Sequence, residues 1–220
     1  MCGRFTLRKE EAILVEYYGI DDEETEQEAE PRYNIAPQQL VQAVTADKRL
    51  IRLKWGLIPS WAKDPKIANN LINARAETLQ EKPSFRTALA KRRCLIPADG
   101  WYEWKKAADG KQPYYFHRRD DALFSFAGLW ETWRSPEAET INTCTIITTE
   151  PNELTANYHH RMPAILKRSD EKLWLEATAR VPDLVQLLGP YPADELEIYP
   201  VSKSVNSPGR DEATLVERIS

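Results

Sequence analysis

The period of apolar and polar positions changes several times along the chain, and these changes lay out its elements. Residues 7–18 carry Ile13, Leu14, Tyr17 and Tyr18 at helical spacing, with Thr6 placed to cap the start and Gly19 to stop the end. This predicts a helix over 7–18. The segment Pro31-Arg32-Tyr33-Asn34-Ile35-Ala36-Pro37 reads as extended and turn-rich. Alternation over 40–46 and 50–58, around Ala46-Asp47-Lys48, predicts a hairpin. Residues 59–82, rich in proline and asparagine, read as a long ordered loop, and 84–92 as a short helix capped by Ser84.

Asp99-Gly100 turns into a strand at Trp101-Tyr102-Glu103-Trp104, and Ala108-Asp109-Gly110 turns into another at Tyr114-Tyr115-Phe116. Strands at 123–130 and 142–149 follow. Asn152 is placed to cap a short helix ending at His159-His160, and Pro163 to fix the exit turn. Helices near 170–178 and 182–188 and a strand at 196–201 complete the pattern. No linker or repeat divides the chain, so the expectation is one α+β domain over 1–220 with a largely antiparallel sheet.

Composition narrows the function classes. At 42% hydrophobic and 29% charged, the 220 residues suit a globular domain with a sizeable core. No apolar run is long enough for a transmembrane helix, and the N-terminus lacks a signal-peptide core. Cys2, Cys94 and Cys144 are odd in number and lack CxxC spacing, which points to a reducing cytoplasm and away from a disulfide framework or zinc site. The net charge of −4 argues mildly against nucleic acid. However, residues 21–30 hold seven carboxylates and no base, and read as an acidic surface loop. Without them 27 acids face 30 bases, so a local basic face is allowed.

The start, Met1-Cys2-Gly3-Arg4-Phe5, carries the sharpest chemistry. Methionine before a small residue is normally clipped, leaving Cys2 with a free amine and a thiol two carbons apart. Such an amine titrates near about 7.7–8.0, so much of it is neutral and nucleophilic at neutral pH. It condenses with an aldehyde to a Schiff base, which the thiol closes to a five-membered thiazolidine. By itself Cys2 reads more simply as a small residue at a frayed terminus.

Glu103 between Trp101 and Trp104 reads either as a desolvated, proton-holding carboxyl or as a surface glutamate. Asn73, Arg75 and Glu77 share one face if the segment is extended; helical spacing would make them a solvated surface. His159 and His160, two of only three histidines, suit a proton shuttle or a helix-end cap. Around these stand Arg4, Arg32, Arg75 and Arg161, with Trp55 and Trp61 as rings that could stack on unpaired bases.

Taken together, the motifs closely resemble the SRAP family, the abasic-site processing proteins first named SOS response-associated peptidases. Besides the N-terminal pentapeptide and residues 32–37, they are Trp55-Gly56-Leu57-Ile58-Pro59, Ile72-Asn73-Ala74-Arg75-Ala76-Glu77-Thr78, the run from Arg93 to Trp104, and His159-His160-Arg161-Met162-Pro163. The match runs in order from residue 1 to about 205. The resemblance implies a barrel-like, largely antiparallel β core with peripheral helices, and residues 206–220 as a C-terminal tail.

The function so implied is a sensor of abasic sites in single-stranded DNA. Cys2 would form a covalent thiazolidine crosslink with the ring-opened deoxyribose, shielding the site from strand cleavage. Asn73 would orient Cys2 and the sugar, Glu103 would handle protons on the amine, and His159 would open the sugar and later reverse the crosslink. His160 sits where the family tolerates other residues. Arg4, Arg75 and Arg161 would grip phosphates, Pro37 and Trp61 would wedge against bases, and Asn34 and Thr148 match positions near the nucleotide.

No metal or cofactor is implied. The expected state is a monomer in the cytoplasm, nucleoid-associated if bacterial, with replication-fork proteins as candidate partners. The rival reading is an N-terminal-nucleophile cysteine peptidase or amidohydrolase, a chemistry that would also let the thiol remove Met1.

Overall fold

A computed structural model describes residues 2–20, 30–108 and 110–219. In chain order the elements are β1 (Phe5–Leu7), α1 (Glu11–Tyr18), β2 (Arg32–Ile35), β3 (Leu40–Thr45), β4 (Leu50–Trp55), β5 (Asn73–Arg75), α2 (Arg86–Lys91), β6 (Arg93–Ala98), β7 (Gly100–Ala107), β8 (Gly110–Arg118), β9 (Phe124–Arg134), β10 (Thr140–Thr149), β11 (Met162–Pro163), β12 (Ile165–Leu166), α3 (Glu171–Leu175), α4 (Val181–Gln186) and β13 (Leu196–Pro200).

The strands form two sheets. In the larger, β10 bonds both to β9 and to β4, so the order β4–β3–β6–β9–β10 closes on itself as a five-strand barrel. Closure removes the exposed edges that an open sheet of this size would present. The pairings of β10 with β4 and β5 are parallel; the other barrel pairings are antiparallel. The second sheet, β13–β8–β7–β1–β2, is antiparallel throughout and holds the N-terminal strand between β7 and β2. This is the α+β, barrel-like arrangement expected from the sequence.

Aromatic side chains join the sheets. Phe5 meets Trp55 and Phe126 edge-on at 5.3 and 5.7 Å, and Trp101 stacks on Phe116 at 4.9 Å. Trp55 is fully buried and donates from Nε1 to the Ile72 carbonyl, so it belongs to the core rather than to a stacking surface.

Beneath β1 the buried Asp99 carboxylate accepts hydrogen bonds from the Thr6 hydroxyl (2.6 Å), the Arg8 amide (2.6 Å) and Arg8 Nε (3.1 Å). Tyr115 shares a 2.8 Å hydrogen bond with the Thr6 hydroxyl. A Cβ on Gly100 would lie 2.1 Å from that Tyr115 oxygen, so the close approach of β7 to Tyr115 requires glycine.

Several element boundaries differ from the expectation. The helix expected over 7–18 starts only at Glu11, because Thr6 and Leu7 are taken up by strand pairing and Thr6 serves Asp99 instead of capping. Its stop is as expected, with Gly19 left-handed at φ 63°. Helix α2 starts without a side-chain cap from Ser84. The strands expected at 123–130 and 142–149 extend toward each other as a longer hairpin, and α3 and α4 are shorter than their periodic segments.

Pro163 lies in β11, paired with Thr148. The 206–220 tail is packed as far as 219: Leu215 is buried, Val216 accepts from the Tyr199 hydroxyl, and Arg218 bridges to Val201. The acidic stretch expected as a surface loop lies, through residue 29, outside the described residues. No helix among the described residues is long and apolar enough to cross a membrane.

Candidate active site at the N-terminal cysteine

Cys2 immediately precedes β1 and is completely buried. The pairings of Phe5 with Ile35 and Trp101, the Tyr102 amide donating to the Arg4 carbonyl, and the Asp99 hub hold this end of the chain in place. Burial pushes the Cys2 thiol above its ordinary range and the Glu103 carboxylate adds to this. The chain's N-terminal charge and a backbone hydrogen bond from Arg4 act the other way.

Two expected partners act on it directly, and a third, His159, lines one groove with the second of them. Asn73, carried by β5 alongside Ile146 of β10, donates from Nδ2 to the Cys2 carbonyl at 2.8 Å. Its Oδ1 is buried with no hydrogen-bond partner among the described residues. Glu103, on β7, is 4% exposed, and burial raises its carboxyl to about 7 against the opposing N-terminal charge. The desolvated reading of Glu103 is therefore the one realised.

His159 follows a 3-10 turn over Thr155–Asn157, whose N-cap is Leu154; Asn152 accepts from the Thr155 amide at 2.8 Å. Burial lowers the imidazole to about 4, with the N-terminal charge contributing. Its Nδ1 lies 3.0 Å from the Arg161 amide nitrogen and 3.2 Å from the Arg161 carbonyl, so the backbone of Arg161 engages that side of the ring. The N-terminal charge perturbs Cys2, Glu103 and His159 alike.

A groove of about 610 Å³ opens over Glu103 and His159, lined also by Arg75, Trp104, Lys111, His160 and Asn206. Arg75 is exposed in it. A second hollow of about 560 Å³ shares Arg75 and His160 and adds Arg161 and Glu150. His160, set aside in the sequence reading, is exposed between the two hollows and stacks on His159 with ring centres 4.3 Å apart.

Other expected residues are placed differently. Arg161 forks onto Glu77 at 2.7 and 2.9 Å and donates to the Thr148 carbonyl at 2.6 Å, so its terminal nitrogens brace the end of β10. Glu77 leaves the face of Asn73 and Arg75 by entering a 3-10 turn. Thr148 is buried and its hydroxyl donates to the Ala74 carbonyl. Arg4 donates to Asn34 Oδ1 and the Val205 carbonyl, both at 2.7 Å, and lies over the Trp104 ring.

Asn34 is wholly buried and binds carbonyls of the C-terminal segment rather than facing the groove. Pro37 is half-buried before the turn at Gln38, and Trp61, 58% exposed, lines a separate hollow with Lys63 and Lys66. Lys111 and Asn206 are groove residues the sequence reading missed. Lys111 had a signal, since it follows the expected turn into the Tyr114 strand; Asn206 had none. Among the described residues no group of three or more His, Cys, Asp or Glu side chains is arranged to hold a metal ion.

The comparisons bear on this geometry. The abasic site processing protein YoqW of Bacillus subtilis is 50% identical over 222 residues, spanning 99% of each chain. The abasic site processing protein HMCES of Gallus gallus is 35% identical over 217 residues, covering 82% of this chain and 64% of its own. A crystal structure of a protein from Bacteroides thetaiotaomicron superposes with a TM-score of 0.89 at 29% identity, over 100% of both chains. The family model described as SOS response associated peptidase (SRAP) matches residues 1–208, and the chain belongs to that family.

Proposed function

We propose that the protein processes abasic sites in single-stranded DNA by forming a covalent thiazolidine through Cys2, after Met1 has been removed. One observation carries the reading: the buried start of the chain, held by Asn73, lies within reach of a carboxyl near pH 7 and a neutral imidazole under a groove bearing Arg75 and Lys111. The names of its relatives supply the substrate class.

The chemistry balances with these groups alone. His159 donates a ring N–H to the ring oxygen of the abasic sugar and favours the open aldehyde. The neutral Cys2 amine adds to the aldehyde carbon, and a protonated Glu103 helps the resulting hydroxyl leave as water, giving the imine. Near its own pKa the same carboxyl serves as donor and acceptor in turn. Left ionised by that step, it then takes the thiol proton as sulfur closes on the protonated imine carbon, which leaves the ring nitrogen neutral and restores the protonated carboxyl. The high thiol pKa means that sulfur waits as S–H and ionises only with this help. Because the ring consumes the imine, β-elimination is suppressed and the strand stays intact. Unpaired DNA fits this order of events, since its sugar is reached without unstacking.

The same thiol also frees its own amine. Attack on the Met1 carbonyl transfers the acyl group from nitrogen to sulfur, and water then releases methionine. Intact-mass measurement of freshly made protein, beside Cys2→Ser, tests this step: Met1 retained only in the variant supports it, and equal trimming refutes it.

The main reading is tested on a denaturing gel with a single-stranded oligonucleotide bearing one abasic site, beside intact and duplex controls. A heat-stable shifted band, lost in Cys2→Ala and when Met1 is retained, is the expected result. No band from protein with a free Cys2 overturns it, and glutamine or peptide hydrolysis would then be assayed.

A further inference from the structure

Beyond the groups that perform the chemistry, we infer that Asn206 is a DNA-contacting residue of the Cys2 groove, delivered there by the C-terminal segment. The inference rests on the proposed function for its ligand, and concerns a contact that the proposal does not contain.

The segment around 202–211 is built in. Val205 is completely buried with Tyr102, Tyr115, Val201 and Leu215. Asn34 Nδ2 donates to the carbonyls of Ser207 at 3.0 Å and Arg210 at 2.6 Å, with a longer contact to Val205 at 3.4 Å. Asp211 accepts from the Asn34 amide at 3.0 Å and pairs with Arg32. Asn34 Oδ1 and the Val205 carbonyl both receive Arg4, so one buried amide ties the segment to the residue two places after Cys2.

Asn206 stands at the exposed edge of this framework and lines the groove with Arg75, Lys111, Glu103 and His159. Its orientation is fixed by chemistry. The Trp104 indole N–H, which can only donate, reaches Asn206 Oδ1 at 2.7 Å. The amide oxygen is thereby used and the Nδ2 group, with two hydrogens, is left with no hydrogen bond to any described residue. A neutral donor held rigid beside Arg75 and Lys111 matches a phosphodiester oxygen of the strand running past the abasic sugar.

Two substitutions separate this role from bracing Trp104. Asn206→Asp keeps an acceptor for the indole but exchanges the donor for a negative charge; Asn206→Ala removes both. Affinity for an intact single-stranded oligonucleotide is read by fluorescence anisotropy at two salt concentrations, and the crosslinking rate with an abasic oligonucleotide is read at saturating DNA. Expected are about fivefold weaker binding for Ala and a larger loss for Asp that shrinks as salt rises. Wild-type affinity in either variant, or a loss confined to the saturating rate, overturns the contact. If the wild-type protein formed no crosslink, the proposed chemistry would fail while the binding contrast between Asp and Ala remained readable.

Discussion

Replacing Glu103 by Gln should make the protein more stable and less active, with the gain in stability appearing only above pH 5. The carboxyl is 4% exposed and lifted from 4.5 to about 7, chiefly by burial. At about 1.4 kcal/mol per pH unit, this places roughly 3 kcal/mol between ionising it in the folded and in the unfolded chain. Below pH 4.5 both states hold the proton and the group is neutral in the balance. Between 4.5 and 7 the unfolded chain releases its proton while the folded chain keeps it, so stability falls as pH rises. Above 7 the loss is complete.

Glutamine keeps the size and polarity but does not titrate. Urea unfolding of wild type and Glu103→Gln, with matched N-termini, should therefore give similar stability at pH 4.5. At pH 8 the variant should lead by up to about 3 kcal/mol, read as a higher midpoint at unchanged m. Crosslinking on the abasic oligonucleotide should fall by about 10²-fold or more, the usual contribution of a general acid–base. A stability difference that is the same at both pH values, or a variant weaker at pH 8, would refute the assignment of the shift to burial of Glu103.

His159 should remain neutral well below the usual histidine range: its NMR ring signals should move near pH 4, and a midpoint near 6.5 would contradict the burial that lowers it. Its folded value lies below the unfolded one, so its contribution to stability grows as pH rises through about 4 to 6.5 and is constant above. Arg75→Ala should weaken single-strand binding and reduce the salt slope by about one, as loss of one phosphate contact requires; an unchanged slope removes Arg75 from the backbone contacts. Gly100→Ala should cost about 2 kcal/mol or more in urea unfolding, because its methyl would meet Tyr115 at 2.1 Å; a loss under about 0.5 kcal/mol would show that β7 yields there.

The elements legible in the sequence are those whose signals are local. The β3–β4 hairpin follows from alternation on both sides of Asp47-Lys48, and Lys48 adopts the left-handed φ of 59° that the turn needs. Gly19 ends α1 where the periodicity runs out. Strand β1 was not legible: three residues are too few for a period, and their conformation is set by Ile35, Gly100 and Trp101, met only through the fold. Parallel closure of the barrel through β10 and β4 joins residues about 90 apart and leaves no trace in either segment.

The site divides in the same way. The chemistry of Cys2, Glu103 and His159 was visible in residue type, and their convergence came from the family resemblance. Arg161, expected as a phosphate grip, forks onto Glu77, 84 residues earlier, and no local feature announced that pairing. Trp55 and Trp61 look alike in sequence, yet one is wholly buried and the other 58% exposed. The difference lies in Ile72, whose carbonyl satisfies the Trp55 indole inside the core.

A chain terminus is normally the least ordered part of a domain, and an aminothiol there would react with any aldehyde in solution. Here the first strand is sandwiched between β2 and β7, pinned by Asp99 below and by Phe5 against Trp55 and Phe126. That rigidity allows the site to hold, beside the buried Cys2 thiol, two groups that a core ordinarily excludes: a carboxyl lifted to about 7 and an amide oxygen with no hydrogen-bond partner among the described residues. Each is destabilising where it stands, and in the proposed reaction the incoming sugar would bring its own hydrogen-bonding oxygen. On that proposal selectivity comes from the walls of the groove: Arg75 and Lys111 would favour an aldehyde carried on a phosphate backbone over one that diffuses freely, and the buried thiol would stay unreactive until such a strand occupied the groove.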